Sequence, residues 1–142
     1  MRKFRFGLVT FVIALIAAAC STGNVASLAV GDCFMDPEDP NTLISDVEIV
    51  DCAEPHHNEV YAVLEVESFT DDFDALCLDE FEAYFDQTWE MSEVYLYTLS
   101  PTAEGFNDGD TQLVCAGWIP LDFADLSAGS ELIEGSLQGS GR

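Results

Sequence analysis

The sequence contains very little positive charge. Four Lys and Arg residues stand against 27 Asp and Glu residues in a chain of 142, a formal net charge of −23. Three of the four basic residues are Arg2, Lys3 and Arg5, and every acidic residue follows position 31. Because binding to phosphate depends on Lys and Arg displacing counterions, this composition excludes nucleic acid as a partner. It excludes electrostatic attachment to anionic lipid for the same reason.

The sequence also lacks a hydrophobic run long enough to cross a membrane. Residues 6–19 are fourteen uncharged residues, whereas a membrane-spanning helix needs about 20 apolar residues. A basic start followed by a short apolar core is typical of a signal peptide. The core ends in Ile16-Ala17-Ala18-Ala19-Cys20. This ending resembles the lipobox of bacterial lipoproteins, in which the cysteine is diacylated and becomes the mature N-terminus.

These features predict a lipoprotein signal peptide at 1–19, a lipid on Cys20 and a flexible tether over 20–27. Lipid attachment would hold the protein on the outer face of the cytoplasmic membrane. Two alternatives stay open: a secretory signal cleaved after Ala19, and an uncleaved anchor. All three place the folded part outside the cytoplasm. Without residues 1–19 the chain has 27 acidic residues and one basic residue, Arg142, a formal net charge of −26.

The cysteines lack the close spacing of a metal-binding motif. Assigning Cys20 to lipid leaves four cysteines, Cys33, Cys52, Cys77 and Cys115, with no C-x-x-C pair among them. Four cysteines in an exported domain of this size predict two disulfides, for which three connectivities are possible. The Pro-containing, turn-rich connection between Cys33 and Cys52 favours the pairs Cys33–Cys52 and Cys77–Cys115.

The hydrophobic pattern predicts a single domain over 28–137, followed by a mobile tail at 138–142. Runs typical of strands lie at 28–30, 47–50, 57–67, 94–99, 111–119 and 131–137. In the run 57–67 one face is apolar and the other is mixed with acids, which predicts a half-buried strand.

One segment has the period of a helix. From Thr70 to Asp86 the apolar residues recur at three- and four-residue intervals, and Thr70 can cap the start. We therefore expect an α+β fold: a small antiparallel sheet with one principal helix packed on it, cross-linked by two disulfides.

Signs of catalytic machinery are few. The chain has only two histidines, His56 and His57, and contains neither H-E-x-x-H nor G-x-S-x-G. His56 and Glu59 are the candidate residues for recognition or for fixing a turn at the entry to a strand. The alternative is a cation- or ligand-binding protein, or a hydrolase, that uses this pair with nearby carboxylates.

Clusters of acidic residues offer oxygen ligands for calcium. Asp108 and Asp110 in the run N-D-G-D are weak candidates, but no cluster matches the twelve-residue EF-hand loop. We therefore assign no metal and no cofactor, and expect weak divalent cation binding. Because the acidic residues repel one another, we also expect the domain to work in a saline or cation-rich exterior.

An ordered series of short motifs runs through the predicted domain. They are V-G-D-C-F at 30–34, V-D-C-A-E-P-H at 50–56, E-V-Y at 59–61, G-D at 109–110 and G-S-L at 135–137. Together with the four cysteines they resemble the septum-formation domain family of actinobacterial envelope proteins, over about residues 28–137. The resemblance implies an extracytoplasmic domain associated with cell division or wall growth, and it implies no known reaction.

The sequence therefore predicts a non-enzymatic, lipid-anchored interaction module of the cell envelope. Its expected partners are the membrane, through the lipid, and envelope or division proteins. Aromatic side chains are the candidate contacts: Tyr61, Trp89, Tyr95, Tyr97 and Trp118.

Overall fold

A computed structural model describes residues 21–37, 39, 43–70 and 72–142. The predicted signal peptide at 1–19 and the predicted lipidation site Cys20 lie outside these residues. The strands of the described part are β1 (Ser21–Asn24), β2 (Cys33–Phe34), β3 (Asp46–Val50), β4 (Asn58–Glu65), β5 (Tyr95–Leu99) and β6 (Gln112–Trp118). The α-helices are α1 (Asp74–Phe85) and α2 (Ala103–Asn107).

The six strands form one sheet in the order β1-β3-β2-β4-β6-β5, and all neighbouring pairs are antiparallel. The twelve-residue helix α1 is the principal helix. Both predicted disulfides are present. Cys33 is bonded to Cys52 with 5.2 Å between their Cα atoms, and Cys77 is bonded to Cys115 with 5.5 Å. The α+β fold and its two cross-links are therefore confirmed.

The larger core lies between α1 and the sheet. Its helix residues include Cys77, Phe81 and Phe85, and Leu113, Cys115 and Ile119 of the β6 region face them. Gly117 shares that face, and a Cβ atom there would lie 2.6 Å from Cζ of Phe85. Helix α1 can therefore approach the sheet this closely only over a glycine.

The strand predicted at 57–67 is present as β4, but the prediction that only one of its faces is buried is wrong. Strand β4 lies between β2 and β6, and Asn58–Ala62 are all buried. The register with β6 shifts between Val60 and Ala62. This irregularity lets Tyr61 and Ala62 both join the core under α1, while Val60 packs in a second cluster on the opposite face. A bulge of this kind interrupts the alternation on which the prediction depended.

The predicted helix start is also corrected. Helix α1 begins at Asp74, and Thr70 does not cap it, because its Oγ1 accepts a hydrogen bond from the backbone N–H of Asp72 at 3.1 Å. Asp72 in turn accepts from the N–H of Ala75 at 3.3 Å. The local bonds of Thr70 and Asp72 form a turn that precedes the helix.

Two predicted strands are absent from the described residues. The segment 28–30 is not a strand. In this region, the residues that pair with neighbouring strands are Cys33–Phe34 of β2. The segment 131–137 makes only an isolated bridge, between Ile133 and His56. Both segments follow irregular paths because their apolar residues, Leu28, Ile133 and Leu137, anchor loops to the core and belong to no ladder.

The predicted tail at 138–142 makes backbone hydrogen bonds with the end of α1. The N–H of Gly139 donates to the carbonyl of Tyr84 at 2.8 Å, and the N–H of Gly141 donates to that of Phe85 at 2.9 Å. Mobility of this tail stays a prediction. Among the described residues, no helix combines the length and apolar character needed to cross a bilayer.

Candidate functional site around His56 and Glu59

His56 lies at the entry to β4, beneath the C-terminal segment of the chain. Its side chain is completely buried. Its backbone exchanges two hydrogen bonds with Ile133, at 3.0 Å from N–H of His56 and at 2.8 Å from N–H of Ile133. The N–H of Gly135 adds a bond of 2.6 Å to the carbonyl of Cys52. The segment that enters β4 is therefore covered by residues near the end of the chain.

The imidazole of His56 has one nitrogen bonded and one without a partner. Nδ1 lies 2.8 Å from the carbonyl oxygen of Glu54. Because a carbonyl oxygen can only accept, Nδ1 carries the proton, and the neutral ring has a lone pair on Nε2. Nε2 is buried and has no hydrogen-bond partner in the structure. A buried polar atom without a partner is rare in folded proteins, and it marks a position that can accept a ligand.

Glu59 is a completely buried carboxylate held by three donors. The hydroxyl of Tyr84 donates to Oε1 at 2.6 Å, and the hydroxyl of Ser136 donates to the same oxygen at 2.5 Å. The N–H of Leu137 donates to Oε2 at 2.5 Å. Hydrogen bonds to an ionised group are the strong kind, and they offset the cost of burying it. One acceptor position on Oε2 stays open.

The hydrogen bond to Glu59 also affects Tyr84. Burial is the main cause that raises the pKa of the Tyr84 phenol far above its usual value, and the bond to the Glu59 carboxylate raises it further. Tyr84 therefore stays protonated and keeps donating throughout the physiological pH range.

Among the described residues, three potential metal ligands come together at this place. Sγ of Cys33, a ring nitrogen of His56 and a carboxylate oxygen of Glu59 all lie within 4.8 Å of one another. Cys33 and Glu59 are direct partners in the β2–β4 register, so the pleat places their side chains on the same face. In the oxidised protein Cys33 is part of a disulfide, and the cluster then offers one nitrogen and one carboxylate.

The other candidate residues lie elsewhere. The N–H of Asp36 donates to Nδ1 of His57 at 3.1 Å, on a partly exposed loop. Asp108 ends α2, and Asp110 accepts from the N–H of Gln112 at 3.4 Å. Within the described residues, neither Asp108 nor Asp110 belongs to a group of three converging ligands. In the described part of the chain, these two weak calcium candidates therefore lack a converging set of ligands.

A surface cavity of about 460 Å³ lies outside the buried pair. It is lined by Pro55, residues 131–137, Ser140 and Arg142. Neither His56 nor Glu59 lines it, because the C-terminal segment separates them from the solvent. The pair therefore has no open path to a substrate in this structure.

Sequence reasoning identified His56 and Glu59 but missed the donors that hold Glu59. Tyr84 fits the apolar face of the helix predicted over 70–86, and Ser136 and Leu137 belong to the G-S-L motif, so neither pattern marks them as donors. A glutamate in the middle of a buried strand requires donors, and that requirement was the available signal. The signal was hidden because the alternation placed Glu59 on an exposed face.

Comparison with known proteins adds no relative: no protein-family model matches the chain, and neither a curated protein nor a solved structure shows significant similarity to it. The resemblance to the septum-formation family therefore stays a prediction.

Proposed function

We propose that this protein is a non-enzymatic, lipid-anchored interaction module on the outer face of the cytoplasmic membrane, where it binds a protein of the envelope or division machinery. The observation that carries the proposal is the burial of His56 and Glu59, both 0% exposed, under the C-terminal segment. A general base must reach the proton that it removes, within about 3 Å or through one water. A pair that is covered by its own chain favours a structural role over hydrolysis.

The disulfides support the location. Cys33–Cys52 and Cys77–Cys115 are both formed, and such cross-links persist in oxidising, extracytoplasmic compartments. The basic, apolar and small-residue pattern that ends at Cys20 supplies the route to that compartment.

A loop that follows β6 offers a surface for a partner. We name residues 121–132 the apolar loop, because four of its large apolar side chains are 45–62% exposed: Leu121, Phe123, Leu126 and Leu132. Exposed apolar residues grouped in this way mark interaction sites. Acidic residues alternate with them, at Asp122, Asp125 and Glu131. The matching partner is a protein whose apolar surface is bordered by Lys and Arg.

The predicted aromatic contacts divide into two groups. Tyr61 is buried under α1, where its hydroxyl donates to the carbonyl of Cys77 at 3.0 Å, so it is not available to a partner. Tyr95 is partly exposed, and its ring lies 6.1 Å from that of Phe123 and 5.9 Å from that of Trp118. This group extends the surface of the apolar loop.

Site-specific photo-crosslinking in the native membrane tests the proposal. The full chain carries a photoreactive residue at Phe123 or, as the control, at Glu82, which is exposed on α1. We expect Phe123 to give a discrete adduct with an envelope or division protein whose contact surface is basic, and Glu82 to give none. A second replacement, Leu132→Ser, should weaken the adduct. Equal adducts from both positions, or none from any position in the apolar loop, would reject the proposal.

Intact mass tests the anchor separately. The mature chain is expected to begin at Cys20 and to carry a diacylglyceryl group, and Cys20→Ala should leave the precursor unlipidated. A mature product that still begins at Met1 would contradict the lipoprotein interpretation.

A further inference from the structure

The Cys33–Cys52 disulfide lies beside two buried groups whose bonding capacity is not used. One is the lone pair on Nε2 of His56, which has no partner, and the other is the open acceptor position on Oε2 of Glu59. Sγ of Cys33 lies within 4.8 Å of a ring nitrogen of His56 and of a carboxylate oxygen of Glu59. The disulfide itself occupies the sulfur that would complete a set of metal ligands.

We infer that reduction of the Cys33–Cys52 disulfide creates a zinc site, in which Cys33, His56 and Glu59 are ligands and Cys52 supplies the fourth donor. The same side chains then form either of two cross-links, a disulfide or a metal centre. This inference depends only on the geometry of the site and not on the proposed interaction function.

The donor set is one that zinc prefers. Zinc binds thiolate sulfur at about 2.3 Å, imidazole nitrogen at about 2.0–2.1 Å and carboxylate oxygen at about 2.0–2.2 Å, in a tetrahedron. Neighbouring donors in such a tetrahedron are about 3.3–3.8 Å apart. The three donors are already within 4.8 Å, so a movement of about 1 Å brings them to ligating distance.

The surroundings of the donors orient them for a metal. A histidine that binds zinc commonly donates its other ring N–H to a carbonyl or carboxylate. His56 already makes this bond to the carbonyl of Glu54 at 2.8 Å, which leaves Nε2 as the ring nitrogen that is free to bind a metal. The carboxylate of Glu59 is fixed by Tyr84, Ser136 and Leu137. Ligands held by such second bonds are preorganised.

The backbone that carries the ligands is held without the disulfide. Cys33 pairs with Glu59 and with Val50 in the sheet. The carbonyl of Cys52 accepts from Gly135, and the backbone of His56 is bonded to Ile133. The ligands therefore have hydrogen bonds that keep them in place after the S–S bond breaks.

The reducing step follows ordinary thiol–disulfide exchange. Cys33 is completely buried whereas Cys52 is partly exposed, so a thiolate of a dithiol reductant attacks Sγ of Cys52, the S–S bond breaks and Cys33 leaves as a thiolate. The second thiolate of the reductant attacks the mixed disulfide and releases Cys52 as a thiolate. The reductant ends as a disulfide, and its two protons pass to the solvent as Zn²⁺ binds both protein thiolates.

The second disulfide does not offer the same chemistry. Cys77 and Cys115 are both completely buried, and within the described residues neither belongs to a cluster of potential metal ligands. The inference therefore distinguishes one disulfide from the other.

Cobalt binding tests the inference, since Co²⁺ replaces Zn²⁺ and its thiolate complexes absorb light. The probe is added to the full chain in detergent, with Cys20→Ser to remove the fifth thiol, before and after treatment with a phosphine reductant. We expect one equivalent of Co²⁺ per chain with a thiolate charge-transfer band, only after reduction, and displacement of Co²⁺ by Zn²⁺. Absence of the band after reduction, or equal binding by the oxidised chain, would overturn the inference.

Matched variants locate the site. His56→Asn keeps a donor for the carbonyl of Glu54 but removes the Nε2 position, and it should weaken binding at least about 10-fold. His57→Asn, one residue along, should leave binding unchanged. The pair Cys33→Ser and Cys52→Ser should abolish the band although Cys77 and Cys115 remain. Equal binding by the two histidine variants would overturn the inference.

If His56→Asn fails to fold, a second measurement, on the protein with its four proposed ligands unchanged, still tests the inference. X-ray absorption of the zinc complex of the reduced chain should show a mixed shell of sulfur and lighter donors. A shell of sulfur alone would overturn the inference, because it would assign the metal to thiols without His56 and Glu59.

Discussion

Ser136 donates its hydroxyl to Oε1 of Glu59 at 2.5 Å across a separation of 77 residues in the sequence. Leu137 donates its N–H to the other oxygen, and Tyr84 of α1 donates to Oε1. One buried carboxylate thus connects the central strand β4, the principal helix and the C-terminal segment. Because a buried charge is costly without donors, the fold depends on all three bonds together.

Glu59→Gln should destabilise the protein by about 2–4 kcal/mol, because it removes a charge that accepts three hydrogen bonds. The amide that replaces the carboxylate presents an N–H₂ group to at least one existing donor, either Leu137 or the pair Tyr84 and Ser136. The midpoint of urea unfolding measures the loss. We expect the slope of the transition to stay unchanged, since the folded core is the same.

The control for this variant lies on the same strand. Glu65 of β4 accepts a hydrogen bond from the hydroxyl of Thr111 on the exposed surface, and Glu65→Gln should cost less than about 1 kcal/mol. If Glu59→Gln and Glu65→Gln have equal effects, the buried carboxylate does not have the structural role that its bonds indicate.

The two disulfides should differ in their contribution to stability and in their ease of reduction. Cys33–Cys52 closes 19 residues and Cys77–Cys115 closes 38, so loop-closure entropy gives about 3 and about 4 kcal/mol respectively. Because only Cys52 of the four is partly exposed, the first disulfide should open first under limiting reductant. Alkylation followed by peptide mass analysis gives the order. Opening of Cys77–Cys115 first, in folded protein, would contradict this prediction.

Much of the fold could be predicted because its signals are local. The three- and four-residue spacing of Phe81, Tyr84 and Phe85 indicates a helix directly from the sequence. The alternation that places Leu113 and Cys115 on one face indicates a strand in the same way. The disulfide pairing followed from the number of cysteines and from one turn-rich connection. These features can be recognised without knowing which residues distant in the sequence are in contact.

The environment of the candidate site was not predictable in the same way. Whether Glu59 is exposed depends on the core clusters that cover both faces of β4 and on the position of β4 between β2 and β6. The donors Tyr84 and Ser136 come from 25 and 77 residues away. No local pattern of charge or hydropathy records such contacts, so the sequence identified the residues but predicted an exposed face for Glu59, which is buried.

Added salt should stabilise the protein. Among the described residues Arg142 pairs with Glu93 at 3.5 Å, which leaves most of the 27 acidic residues to repel one another. If salt removes about 1 kcal/mol of this charge repulsion from the folded state, Tm rises by about 4 °C in a domain of this size. We expect at least that rise between low and molar NaCl, measured by calorimetry. An unchanged Tm would show that repulsion does not limit stability.

Magnesium provides a control that separates screening from binding. At equal ionic strength, NaCl and MgCl₂ screen exposed charges to a similar extent. A clearly larger rise of Tm in MgCl₂ would indicate that divalent cations bind to the acidic surface, as the composition predicts. Equal rises of Tm in the two salts would show that added salt acts only by screening the charges.

Ionisation of the Tyr97 phenol in the unfolded chain should lower the stability of the protein at alkaline pH. Burial, and then the nearby Asp36 carboxylate, raises the pKa of the Tyr97 phenol to about 12, whereas in the unfolded chain it is about 10. Between these values only the unfolded chain loses the proton, so the contribution of Tyr97 is complete below pH 10 and is lost as the pH rises through 12. Tyr97→Phe cannot ionise, and its free energy of unfolding should fall less steeply over this range. Asp36→Asn should shift the loss to lower pH. Equal slopes for the native protein and Tyr97→Phe, from urea unfolding at each pH, would contradict the role of this phenol.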